Sequence, residues 1–128
     1  MPQLAKGGKW VFGWVVLRPD GEIRLPPAAA AEYGFTPGMA LAFTRGSRTS
    51  GGFGLGKQEL LASHPYLSGR LLCQGIFLPG GTISLPAELG GKAGDRLLVV
   101  RGSGLALGFS QRGPIYELAK QHTEVEVF

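Results

Sequence analysis

Residues 51–58, GGFGLGKQ, put Gly51, Gly56 and Lys57 at the G-x-x-x-x-G-K spacing of a phosphate-binding loop. That chemistry needs a Ser or Thr after the lysine to hold magnesium, a strand before the loop and a long helix after it. Here Gln58 follows Lys57, and the glycines read as a hairpin turn leading into a returning strand and a short helix. Other reactive side chains are equally isolated. His64 and His122 close two short helical patterns with no Cys, Asp or Glu at metal-ligand spacing, and read as exposed helix C-terminal residues. Ser47 and Ser103 recur in a paired RGS with no base partner visible, which fits a turn better than a nucleophile. The single Cys73 excludes an intrachain disulfide and a cysteine-based zinc cluster. The expectation is a non-enzyme without metal or cofactor.

The elements that must position these residues are short. The 128 residues include 22 glycines and 9 prolines, which imply many turns and short strands within one compact unit. Net charge is +4 with no run of consecutive Lys or Arg, compatible with a polyanionic partner but mild for one. No apolar run approaches the roughly 18 residues of a membrane span, and MPQLAKGGKW lacks the apolar region of a secretory signal. A cytoplasmic protein with no membrane partner is expected.

The chain repeats itself. WVVLRPDGEIRLP (14–26) matches QGIFLPGGTISLP (74–86) at an offset of 60, and GMALAFTRGS (38–47) matches GDRLLVVRGS (94–103) at an offset of 56. The difference falls in the segment after Pro26, where the second copy lacks about one helical turn. Each copy reads as an apolar strand (11–17; 71–78), a Pro-x-Gly turn and an alternating strand with Ile23 and Leu25, or Ile83 and Leu85, on one face. Pro27 then starts a short helix stopped by Gly34. A third strand follows with Leu41 and Phe43, or Leu97 and Val99, inward. A fourth strand (53–55; 105–107) and a closing helix, KQELLASH or PIYELAKQH, complete each copy, and TEVEVF alternates like an extra edge strand. This divides the chain into a tail (1–9) and two repeats (10–66 and 67–128) that share one globular unit. In this alignment the turn before the fourth strand is about four residues longer in the first copy, and Phe109 stands where Lys57 does.

The order of these pieces resembles the AbrB/SpoVT/MazE-type swapped-hairpin domain. Gly21, Ile23, Leu25, Pro26, Gly34, Phe35, Gly38 and Leu41 meet the pattern in the first copy, and Gly81, Ile83, Leu85, Pro86, Gly94, Asp95 and Leu97 in the second. The resemblance covers roughly residues 10–109 and implies a mainly β fold with short helices: a swapped-hairpin β-barrel formed as an intramolecular pseudo-dimer of the two repeats. It also implies a DNA-binding transcriptional regulator or antitoxin-like protein, with double-stranded DNA or a cognate toxin as partner. Family regulators commonly carry Arg after the turn glycine, where this chain has Glu22 and Thr82, and paired basic residues on the short helix, where it has alanines at 28–31.

Basic residues gather elsewhere in the first copy. Lys6, Lys9, Arg18 and Arg24 lie along its first hairpin, and Arg45, Arg48 and Lys57 along its second, whereas Leu78 and Ser84 replace Arg18 and Arg24 in the second copy. Lys9, Arg18, Arg24, Arg45, Arg48 and Lys57 are therefore the candidate DNA-binding set, suited to salt-dependent phosphate contacts. The alternative for the same side chains is to solvate exposed strands and mask an edge. Trp10, Phe12 and Trp14, spaced to share one face of the first strand, suit either a base-stacking or protein-contact platform or the plug of a small barrel. The alternative function is a protein-interaction module that kept the scaffold and lost DNA binding. A homo-oligomer is compatible with either.

Overall fold

The computed structural model describes residues 3, 4, 8–102 and 104–128, so Lys6 and Ser103 lie outside the described residues. Among the described residues the alternating stretches build strands β1 (Val11–Val16), β2 (Glu22–Arg24), β3 (Ala40–Arg45) and β4 (Phe53–Lys57) in the first repeat. The second repeat supplies β5 (Leu71–Ile76), β6 (Thr82–Ser84), β7 (Arg96–Val100) and β8 (Leu107–Ser110). Three short helices join them: α1 (Pro27–Glu32), α2 (Gln58–Ser63) and α3 (Pro114–Lys120). Pro27 occupies the first turn of α1, where a missing N–H costs nothing. Where the first repeat has α1, the second has a single 3-10 turn, Ala87–Leu89, ended by Gly90 at φ 75°. The protein is thus mainly β with few short helices.

All pairings between these strands are antiparallel. Six strands form a sheet in the order β1-β7-β8-β4-β3-β5, and β2 pairs with β6 in a separate two-stranded sheet. The first strand of each repeat lies against the third strand of the other, and the two fourth strands meet in the middle. The first strands, β1 and β5, are the two edges of the larger sheet.

One face of the six-stranded sheet carries Phe43, Leu55, Val99, Leu107 and Phe109 into the main core. Ile23 and Ile83 stand opposite each other in the β2–β6 ladder and are fully buried against that face. Each contributes about 1.5–3 kcal/mol through apolar area removed from water. Ala29 and Ala30 of α1 reach the same core, which explains the small residues on that helix. On the other face α2 buries Leu61 near Ala42 and Ala106, and α3 buries Ala119 among Trp14, Leu98 and Val100. Leu41, Phe43, Leu97 and Val99 face the main core, as their spacing predicts.

The aromatic triplet of the first strand does not share a face. The register shifts between Val11 and Gly13, so an extra residue enters β1 and reverses the alternation. Phe12 joins the main core, Trp14 is buried on the opposite face edge-on to Tyr116, and Trp10 is exposed. The same shift recurs at the matching place in β5, where Leu71 faces Thr44 and Cys73 faces Phe43. The fourth strand of the second repeat also differs from expectation: it is Leu107–Ser110, not 105–107. Thr44 faces Gly54 whereas its counterpart Val100 faces Gly108, so the first turn is two residues longer rather than four. Phe109 accordingly matches Leu55, both lying opposite the inward residue of a third strand, and not Lys57.

The C-terminal segment closes the β1 edge. The Trp14 amide donates to the Glu126 carbonyl at 2.8 Å, and the Phe128 amide donates to the Trp14 carbonyl at 2.8 Å. Gly13 makes room for this: its φ is 148°, and a Cβ there would meet the Glu126 carbonyl and the Phe128 ring. The expected extra edge strand is a single parallel bridge, Trp14 to Val127.

Candidate nucleic-acid interface

β3 ends at Arg45 and the chain returns to β4 through residues 46–52. Gly52 is required there, since its φ is 65° and a Cβ would run into the Phe109 carbonyl. The turn is tied internally by Ser47 Oγ and Ser50 Oγ at 2.6 Å, by the Ser50 amide donating to Ser47 Oγ at 3.1 Å, and by the Gly51 amide donating to the Ser47 carbonyl at 2.9 Å. Two arginines from the second repeat grip it from outside. Arg70 Nη2 donates to the Arg45 carbonyl at 2.9 Å, and Arg112 Nη2 donates to the Arg48 carbonyl at 3.0 Å. The amides of Gln111 and Arg112 both donate to the Ser50 carbonyl.

This brings four guanidinium-bearing residues, Arg45, Arg48, Arg70 and Arg112, to one turn. Among the described residues the ion pairs are Arg101–Glu32, Lys120–Glu117 and His122–Glu124, and none of the four takes part. A guanidinium has five N–H donors. Arg70 spends donors on the Arg45 and Gly46 carbonyls and the Tyr66 hydroxyl, and its carbon sits 5.7 Å from the Tyr66 ring centre. The donors left over, and those of the exposed Arg45 and Arg48, suit the oxygens of a phosphate.

The equivalent end of the second repeat is neutralised. Arg101 follows β7 as Arg45 ends β3, and its Nε donates to Glu32 Oε2 at 2.7 Å while Nη2 donates to Oε1. That hydrogen-bonded guanidinium holds the Glu32 carboxyl below its usual value. The Gly102 amide beside it donates to the Tyr33 hydroxyl at 3.1 Å, and burial raises the Tyr33 phenol. Glu88, which takes Glu32's place in the second repeat, makes no ion pair among the described residues; its charge adds to the burial that raises the Cys73 thiol.

The six sequence candidates fall in three places. Lys9 and Arg45 line one depression of about 160 Å³ with Ser47, Ser50 and Gly51, and Arg48 stands in the same turn. Arg18 lies in the β1–β2 turn, its amide donating to the Glu22 carbonyl at 3.0 Å, and Arg24 is exposed opposite Thr82. Lys57 ends β4, half-buried, with its ammonium near Gly34. Sequence reasoning missed Arg70 and Arg112. Each sits in a glycine-flanked connection, before β5 and before α3, and only the strand order brings those connections to the first-repeat turn.

The histidines serve local structure. His64 Nδ1 accepts from the Tyr66 and Leu67 amides at 3.2 and 3.1 Å, and His122 Nδ1 meets Glu124 Oε1 at 2.7 Å. Both are half-buried rather than exposed. Among the described residues no group of three or more His, Cys, Asp and Glu is placed to hold a metal ion, and no helix is long and apolar enough to cross a membrane. The fold and this turn together define a small, mainly antiparallel β protein with a cationic end that has no carboxylate partner among the described residues. Neither a family model nor a curated protein sequence matches the chain.

Proposed function

We propose that this chain is a non-catalytic, duplex DNA-binding protein built as a single-chain counterpart of the swapped-hairpin dimer, a regulator or antitoxin-like molecule. Supporting the architecture, the six-strand order reads the same from either edge once the two repeats are exchanged, and β2–β6 joins the repeats at Ile23 and Ile83. The observation that carries the function is the set of four arginines at the 46–52 turn without a carboxylate partner among the described residues. Arg45, Arg48, Arg70 and Arg112, with Lys9 beside them, act as phosphate contacts, while Arg18 and Arg24 on the β1–β2 hairpin and Lys57 at the other end of β4 are separate candidate contacts. Phosphate contacts orient a protein on DNA and make binding salt-dependent.

The test is a fluorescence-anisotropy titration with a short labelled duplex over a range of salt. The reading expects binding whose log affinity falls linearly with log salt, with a slope of about −0.9 for each phosphate neutralised. No binding at low salt, or binding with a flat salt response, refutes it. A second reading, a protein-interaction module on the same scaffold, draws on the outer face of β2–β6, where Arg24 stands among Glu22, Thr82 and Ser84 rather than in a basic strip. Co-purification of a nuclease-resistant protein partner in place of DNA would favour it.

A further inference from the structure

The two edges of the six-stranded sheet are matched in sequence position but not in cover. At the β1 edge the segment around Glu126–Phe128 bonds to Trp14 and buries it. At the β5 edge no further strand follows among the described residues, because the chain beyond α2 runs through the turn Leu67–Arg70 directly into β5 itself. The matching residues show the consequence. Phe12 is 8% exposed and Trp14 4%, whereas their counterparts Leu72, 41% exposed, and Gln74 face solvent, as does Ile76 at the end of the strand. Cys73 replaces Gly13, the residue whose missing Cβ admits the C-terminal segment.

Proteins usually guard such an edge with charge, proline or a covering segment. β5 reads LLCQGI, with neither charge nor proline, and its one irregularity lies at Leu72, leaving Cys73–Ile76 in regular register on β3. The sequence is also complementary to itself. An antiparallel pairing with its twofold axis at Gln74 sets Gln74 against Gln74 and Cys73 against Gly75 within the regular stretch, so no like charges oppose and two small residues meet.

We propose that β5 is a homodimer interface, through which a second copy of this chain pairs edge to edge about Gln74 and extends the sheet across the dyad. A C2 contact of this kind is closed, so it ends at two copies. The proposal is independent of DNA binding. Its test is sedimentation velocity of the full chain over a concentration series without nucleic acid, together with Gln74→Lys and Gln74→Glu. Gln74 is exposed, and the two variants place like charges face to face at the axis. Wild type is expected to shift from monomer to dimer with concentration, each variant to lose the dimer, and an equimolar mixture of the two to regain it as a heterodimer. A wild type that stays monomeric at every concentration overturns the proposal. So do variants that dimerise as well as wild type, or a mixture that stays monomeric.

Discussion

Arg45 and Arg101 hold matching places at the ends of β3 and β7, and their surroundings are opposite. Arg101 is locked to Glu32, while Arg45 is exposed and joined by Arg48, Arg70 and Arg112 with no carboxylate partner among the described residues. The difference traces to one helical turn. α1 carries Glu32 to Arg101, but the second repeat shortens that helix to the 3-10 turn Ala87–Leu89, and Glu88 ends beside Cys73 without reaching Arg45. The β1 and β5 edges repeat the lesson: a glycine and a C-terminal segment cover one, and none of the described residues adds a strand to the other. Matching strand positions set where groups stand; short local differences decide whether they are satisfied.

The largest expected break in this comparison lies at the bulges. Phe12→Ala should cost about 3–5 kcal/mol because it empties a buried site, whereas Leu72→Ala at the matching position should stay within about 1 kcal/mol. Urea unfolding of the two variants measures both; equal losses would mean that the two edges are packed alike.

Next in size is the closing of the β1 edge. Gly13→Val adds a Cβ toward the Glu126 carbonyl and forces a branched residue to φ 148°, a strain of about 1–3 kcal/mol. Hydrogen exchange should then lose protection at the Trp14 and Phe128 amides, whose bonds hold the segment. Cys73→Val, on backbone that any residue adopts, should leave protection in β5 unchanged.

Much of this frame was legible in the sequence. The offset repeats gave the element order, and the inward residues Ile23, Leu41, Phe43, Ile83, Leu97 and Val99 followed from period-two alternation. The aromatic face failed because one extra residue in β1 reverses every side chain beyond it, and Trp-Val-Phe-Gly-Trp looks like an unbroken strand. The candidate site was legible only in part. Arg45 and Arg48 were visible as an unmatched turn, but Arg70 and Arg112 reach it through pairings between repeats, and so does the Glu32–Arg101 pair that removes Arg101 from the set. No local pattern encodes a partner that distant in sequence.

The smallest effect is a pH dependence confined to one end. The Glu32 carboxyl is held below its usual value of 4.5 by Arg101, so the pair's contribution is present above that value and fades as pH falls through the lowered folded value. Glu32→Gln should lower stability at neutral pH and converge on wild type in acid, as followed by urea midpoints from neutral to acid pH. Arg45→Gln, which breaks no ion pair among the described residues, should leave the acid limb of the curve in place.

The most direct measurement of the central claim is the salt dependence of duplex binding by Arg45→Gln and Arg101→Gln. Each removes one positive charge from a matching position, so net charge cannot distinguish them. The account predicts that Arg45→Gln reduces the magnitude of the log–log salt slope by about 0.9, one phosphate contact, while Arg101→Gln leaves it unchanged. Equal slopes for the two variants, whether both reduced or both as wild type, would contradict it.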